Sequence, residues 1–415
     1  MQNIDWKKEL KQSTIAAFWF IFLTFPLMVM KVAIIQGEAT ITWRWYNVPV
    51  IGITFFVLSF VWRYMLERRK YSDKKESNEF IGKLLAQKKI SRPAMTGLAL
   101  FLLAFPFLFS MYQTNVMISV LIYIILGLGL NIVVGYGGLL NLGYAAFYAV
   151  GAYTYGLFFT FVGPKFVELG INTGLMFWIS IPAAVLASLL FGFLICLPVI
   201  RLRGDYLAIV TLAFGEITRM FLQNEGQITQ GPSGISLIPR PWLLGMKVTP
   251  MLAAKYVYFI ALIVVLITIK VVKNLEDSKI GRAWEAMRED DIAAQSMGID
   301  LTRAKLASFA VGALWAGFAG VLLAAKTTFI NPESFTLWES IIILCVVVLG
   351  GMGSIPGVVF GSVLMIMLPE YFRFFAEYRM LIFGIALVLM MIFRQGGIIP
   401  RKRKTYTFNL EGAAE

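Results

Sequence analysis

The chain reads as a succession of long apolar runs cut by short polar or glycine-rich breaks. The runs lie near residues 16–35, 48–62, 95–110, 116–134, 141–162, 175–199, 206–222, 252–272, 306–325, 337–349, 358–368 and 380–393. They are continuous, without the alternation of a lipid-facing β-strand, which excludes a membrane β-barrel. A bilayer crossing takes roughly 20 helical residues, so the longer runs predict transmembrane helices. The shorter, glycine-interrupted ones predict broken or re-entrant segments. The expected fold is an all-α polytopic membrane protein with about 10–12 transmembrane helices.

Composition agrees: 59% of the 415 residues are hydrophobic and 15% are charged, which excludes a soluble enzyme, a disordered chain and a fibrous protein. The net charge of +13 changes the picture only when it is placed on the spans. With the N-terminus inside, 26 lysines and arginines fall in cytoplasmic segments and seven in external ones. That asymmetry predicts both termini on the cytoplasmic side of the membrane and accounts for the basicity without nucleic acid. Lys7, Lys8 and Lys11 ahead of the first run resemble a signal peptide, but residues 31–38 offer no small-x-small cleavage site, so a retained span is expected. Three divisions follow: residues 1–93, a two-span extension with a charged linker at 63–92; residues 94–395, the main transmembrane domain; and residues 396–415, a basic cytoplasmic tail.

The chain has no histidine, which removes histidine-based proton relays, metal sites and general-base chemistry together. Cys196 and Cys345 both lie within apolar runs, where a cysteine acts as a small hydrophobe, so neither a disulfide nor a metal site is expected. There is no Gly-x-x-x-x-Gly-Lys-Ser/Thr anywhere, hence no nucleotide cradle and no cofactor of the chain's own.

Three segments carry candidate chemistry. The first is the internal loop 273–305, in which Ile280, Trp284 and Met287 recur at i, i+4 and i+7 and make one helical face apolar. Glu285, Arg288 and Glu289 cover the other face; Asp290 and Asp291 mark a break, and Ala293, Ala294 and Met297 form a second short stripe ended by Gly298. Such a helix packs on its own protein or docks into a partner; its mixed charge disfavours lying on lipid. Candidate coupling residues are Gly281, Arg282, Trp284, Glu285, Ala286, Arg288, Glu289, Asp290, Asp291, Ala293, Ala294 and Gly298.

The second comprises the glycine-rich stretches 127–144 and 350–357, with Asn131, Gly137, Gly138, Asn141, Gly143, Gly351, Gly353 and Ser354 as candidate lining of a solute path. Close helix packing and unwound backbone facing a polar solute explain such glycines equally well. The third is Glu216 with Arg219, one turn apart in the run 206–222, read as a structural ion pair or a zwitterion contact.

Five segments in order, 141–153 (NLGYAAFYAVGAY), 202–216 (LRGDYLAIVTLAFGE), 229–235 (TQGPSGI), 281–299 and 348–357 (VLGGMGSIPG), resemble the LivM-type permease subunit of branched-chain amino acid ABC importers. The likeness runs from about residue 114 to 393, and the extra N-terminal pair of spans resembles the long Gram-negative form. It implies an ABC importer permease fold and a non-catalytic role in taking up Leu, Ile or Val. The implied partners are a second, LivH-type permease, two cytoplasmic ATP-binding subunits, a periplasmic amino acid-binding protein and the lipid bilayer. The loop 281–299 would be the ATPase-coupling element, although glycine follows Glu285-Ala286-Met287 only at Gly298, later than in the usual Glu-Ala-Ala-x-x-x-Gly pattern. Tyr144 stands where the family often has histidine or glutamine. The same architecture importing urea or short amides, and an ion-coupled secondary transporter acting alone, are the competing functions.

Overall fold

A computed structural model describes residues 30–35, 38–43, 49, 100–168, 174–202, 204–241, 250–371, 384, 388 and 396–401. Contacts divide the chain into two units, Met1–Leu100 and Phe101–Glu415. In the first unit, β1 (Met30–Ile35) and β2 (Glu38–Trp43) form an antiparallel pair in which Met30 faces Trp43, Val32 faces Ile41 and Ile35 faces Glu38. This corrects the end of the first predicted span. Val32, Ile34, Ile35, Thr40, Ile41 and Thr42 are β-branched, and such side chains suit a pleated surface better than a helix. The remainder of that span, the run 48–62 apart from Pro49, residues 95–99 and most of the run 380–393 lie outside the described residues. So do the charged linker 63–92 and most of the basic tail 396–415.

The second unit is helical. Its principal helices are α1 (Met111–Leu130), α2 (Tyr144–Leu157), α3 (Gly174–Val199), α4 (Asp205–Asn224), α5 (Pro250–Glu276), α6 (Lys279–Glu289), α7 (Asp291–Ser296), α8 (Leu301–Thr327), α9 (Leu337–Gly350) and α10 (Ile355–Tyr371). Among the described residues, six helical segments are long and apolar enough to cross a bilayer, the longest being Leu301–Thr327. The run 206–222 forms α4, but Asp205, Glu216 and Arg219 keep it out of that group. After α4 come a turn at Gly226–Thr229, another at Gly231–Ser233, and a β-bridge from Ile235 to Ile330.

α8 is the hub, packing most extensively on α2 and α3 and also on α1. Small residues set these crossings. A Cβ at Gly151 would strike the backbone of Gly317, one at Gly320 would strike the Tyr148 carbonyl, and one at Gly192 would come 2.6 Å from the Ala313 methyl. In lipid, where apolar burial between helices gives little net drive, such close approach supplies the dispersion contacts that hold helices together.

α1 does not end cleanly. Its last turns widen into a π-helical stretch, Asn131–Tyr136, closed by the Gly137 N–H donating to the Ile132 carbonyl (3.1 Å) and Leu139 N–H to Val133 (3.0 Å). Gly138 follows with φ +68°, a left-handed position that a side chain would strain.

Candidate functional site

The predicted loop helix exists as α6, with Ser278 as its N-cap accepting from the Gly281 N–H (3.1 Å). Its apolar stripe faces inward. Trp284 is 1% exposed, and its indole N–H donates to the Ala304 carbonyl (2.8 Å) near the start of α8; Met287 is also buried. Gly281 lies under the Leu275 carbonyl, where a Cβ would not fit. Ile280, the third member of the stripe, stays half exposed. Packing on its own protein therefore accounts for Trp284 and Met287.

Asp290 separates α6 from α7 and caps the latter, its Oδ1 accepting from the N–H groups of Ile292 (2.8 Å) and Ala293 (3.0 Å). Its own N–H donates to the Ala286 carbonyl (3.1 Å). The elbow so formed turns Ala294 inward and leaves Ala293, Ile292 and Met297 on the surface. Gly298, at φ +83°, ends it, and Glu289 is exposed on the α6 side of the bend. Arg282 is exposed and donates back to the Asp277 carbonyl (2.9 Å).

α6 meets the glycine-rich segments directly. Its Arg288 guanidinium donates to the Gly135 carbonyl within the π stretch, and the side chain crosses Gly138 so closely that a Cβ there would come 2.9 Å from Arg288 Cγ. The Met287 methyl would lie 3.6 Å from a Cβ at Gly137. The second glycine stretch joins from the other side. Gly353, at φ +82°, donates its N–H to Asn131 Oδ1 (2.8 Å) and lies beside Arg288 and Arg401. Gly351 packs under Ile399, while Ser354 caps α10 by accepting from the Gly357 N–H (3.2 Å).

Charge completes this closure. Arg401 pairs with Glu276 at the end of α5 (3.1 Å) and with Glu285 on α6 (3.3 Å), and its guanidinium lies 5.0 Å over the Tyr136 ring. Lys305, 4% exposed, lies 3.6 Å from Asp291 and 3.5 Å from the Leu202 carbonyl, so it ties α7 to the α3–α4 connection. Sequence reasoning misses Arg401, Glu276 and Lys305 as parts of this site. Their signal is present as charges near the ends of apolar runs, but nothing local names a partner 125 residues away, as Arg401 is from Glu276.

Two polar atoms inside this region stand out. The Nδ2 amides of Asn131 and Asn141 are buried without a hydrogen-bond partner among the described residues. Each such orphan costs about 1–3 kcal/mol. Asn141 uses its Oδ1 to accept from the Gly143 N–H (3.0 Å), and Gly143 sits against the Thr211 carbonyl of α4. This pair does not join the α6 cluster. Glu216 and Arg219 do not join it either. They pair on α4 (2.9 Å), and Arg219 also lies 3.7 Å from Glu333, in the turn that follows α8.

Among the described residues no cluster of metal-ligating side chains occurs. The arrangement is a surface elbow, α6–α7, clamped onto the widened end of α1 and onto the glycine turn between α9 and α10.

Comparison with known proteins places this geometry among relatives. Residues 112–391 match the family model described as "Branched-chain amino acid transport system / permease component". The chain is 42% identical over 392 residues to the high-affinity branched-chain amino acid transport system permease protein LivM of Salmonella typhimurium, covering 89% of this chain and 88% of that one. Identity to LivM of Escherichia coli K12 is 40% with the same coverage. LivH of Escherichia coli K12 is 26% identical, over 67% of this chain and 91% of the relative. No solved structure matches.

Proposed function

Since the chain belongs to the family of branched-chain amino acid transport permease components, we propose that it forms half of the translocation path of an ATP-driven importer of Leu, Ile and Val. It is a multi-pass membrane protein, and its relatives are transport subunits. In this reading the bacterial inner membrane holds it with both termini in the cytoplasm, following the asymmetry of lysine and arginine. A second permease of LivH type completes the path; the likeness between this chain and LivH supports a pseudo-symmetric pair. Two cytoplasmic ATPases supply the drive, and a periplasmic binding protein delivers the solute. The transporter subunit itself performs no catalysis.

The observation that carries the coupling role is the clamp of Arg288 onto the Gly135 carbonyl. A displacement of α6 cannot occur without moving the end of α1, because Trp284, Met287 and Arg288 are all anchored within this chain. A push on the elbow thereby becomes a rearrangement of the glycine-rich turns, which is how one packed arrangement is exchanged for another. The ATPase-facing surface is the exposed tip, Ile292 and Met297 with Glu289 and Asp290 around them, in place of the Trp284 stripe.

The test is affinity purification of the chain from mild detergent with its neighbours. Recovery of two ATPases and a second permease is expected, and Ile292→Glu should lower ATPase recovery without lowering recovery of the chain. Concentration of leucine by the isolated chain in liposomes without ATP would overturn the reading.

A further inference from the structure

The elbow and glycine turns leave two charged groups unused at the opposite end of α8. Lys326 lies in its last turn and Glu339 in the first turn of α9. Both are partly buried in segments apolar enough to cross a bilayer, where an ionisable side chain is costly and usually functional. Sequence alone singles out Glu216 as the intramembrane carboxylate and passes over Glu339, because a single acid barely lowers the hydropathy of Leu-Trp-Glu-Ser-Ile-Ile-Ile-Leu.

Helix dipoles explain the signs, a cation at a C-terminus and an anion at an N-terminus. They do not explain the partners. Lys326 and Glu339 do not pair with each other, and no other acid reaches Lys326 among the described residues. Each meets a hydroxyl on α1 instead. The Lys326 ammonium donates to Ser119 Oγ, and Tyr123 Oη donates to Glu339 Oε1 (2.6 Å). Ser119 and Tyr123 are four residues apart, so the two hydroxyl-bearing residues lie on one face of α1, about one turn apart. A purely structural pair gains most by closing. Here each charge keeps spare capacity: further N–H donors on the lysine, further lone pairs on the carboxylate.

An α-amino acid carries the complement of this arrangement, an ammonium and a carboxylate on one carbon. Aromatic groups lie alongside. Tyr148 is close enough to Glu339 to interact with its charge and packs edge-on against Phe335 at 5.2 Å. Tyr153 also contacts Phe335 (6.1 Å), and its hydroxyl is buried without a partner among the described residues. We propose that Lys326 and Glu339, positioned by Ser119 and Tyr123, form a receiving site for the zwitterionic head of an α-amino acid. Lys326 takes the carboxylate and Glu339 the ammonium, while Phe335 and Tyr148, buried against each other in this structure, part to take the aliphatic side chain. The site rests on the permease reading and names the chemistry that reading leaves open.

Photo-leucine, whose side-chain diazirine marks whatever surrounds it, is the probe. The whole importer, reconstituted in proteoliposomes with its binding protein, is loaded with photo-leucine, trapped with ATP and vanadate, irradiated and mapped by mass spectrometry. Adducts are expected in residues 144–155 and 330–340. Glu339→Gln and Lys326→Met should each lower that labelling and leucine uptake by about tenfold or more, the scale of one charged hydrogen bond. Glu339→Asp and Lys326→Arg should recover part of both. Complex yield should stay unchanged, which separates a ligand contact from a fold contact. Native labelling and uptake in the Gln and Met variants, with leucine still imported by the parent complex, would overturn the site and leave the permease reading standing. Failure of the parent complex to import leucine would instead strike the permease reading.

Discussion

At the start of α8, Lys305 is sealed against Asp291 and the Leu202 carbonyl, with Arg401 closed on Glu276 and Glu285 nearby on α5 and α6. At its end, Lys326 and Glu339 are separated, and among the described residues each is held by a hydroxyl of α1. One end uses charge to fasten its own elements, since each cation there bridges two segments that must move together. The other keeps charge available. A charge already satisfied by the protein gains little from a ligand; one left partly unsatisfied favours whatever completes it. On the proposed reading the contrast divides labour along a single helix: transmission where pairs are closed, recognition where they are open.

The strongest way to break this contrast is Trp284→Ala. It empties a fully buried site and removes the hydrogen bond to Ala304, so a loss of about 3–5 kcal/mol is expected, read as a lower thermal midpoint in detergent and lost ATPase recovery. Arg288→Ala comes next. It strips the Gly135 carbonyl of its donor and should cost about 1–3 kcal/mol, with faster hydrogen exchange over residues 131–138 than elsewhere. Arg401→Ala opens partly exposed pairs and should cost about 1 kcal/mol, its mark being faster exchange in α6. Ile292→Glu should fall within about 0.5 kcal/mol of the parent yet lower ATPase recovery, since the side chain is exposed. A large stability loss from Ile292→Glu, or none from Trp284→Ala, would reverse the assignment of inner and outer faces on the elbow.

The sequence made the helices legible because continuous apolar runs leave a backbone few other ways to satisfy its hydrogen bonds in lipid. The elbow was legible for the same kind of reason: Asp290 and Gly298 are local break and stop signals, and each acts within a few residues of its own position. Direction was not legible. The period of Ile280, Trp284 and Met287 defines a face without saying which body covers it, and the cover is α8 of the same chain. Nor could spacing reveal that Asn131 accepts from Gly353, 222 residues away, or that Lys326 and Glu339 share one face of α1. The pairing of Met30–Ile35 with Glu38–Trp43 was hidden because a short apolar run reads alike as helix and strand.

The widened stretch Asn131–Tyr136 has a mechanical corollary. A π segment accommodates one residue more than the α-helix would in the same length. Drawing that residue back into α register would advance everything beyond it by about 1.5 Å and rotate it by about 100°. On the proposed coupling role, the end of α1 is a screw thread with one spare notch, gripped by Arg288 at the Gly135 carbonyl.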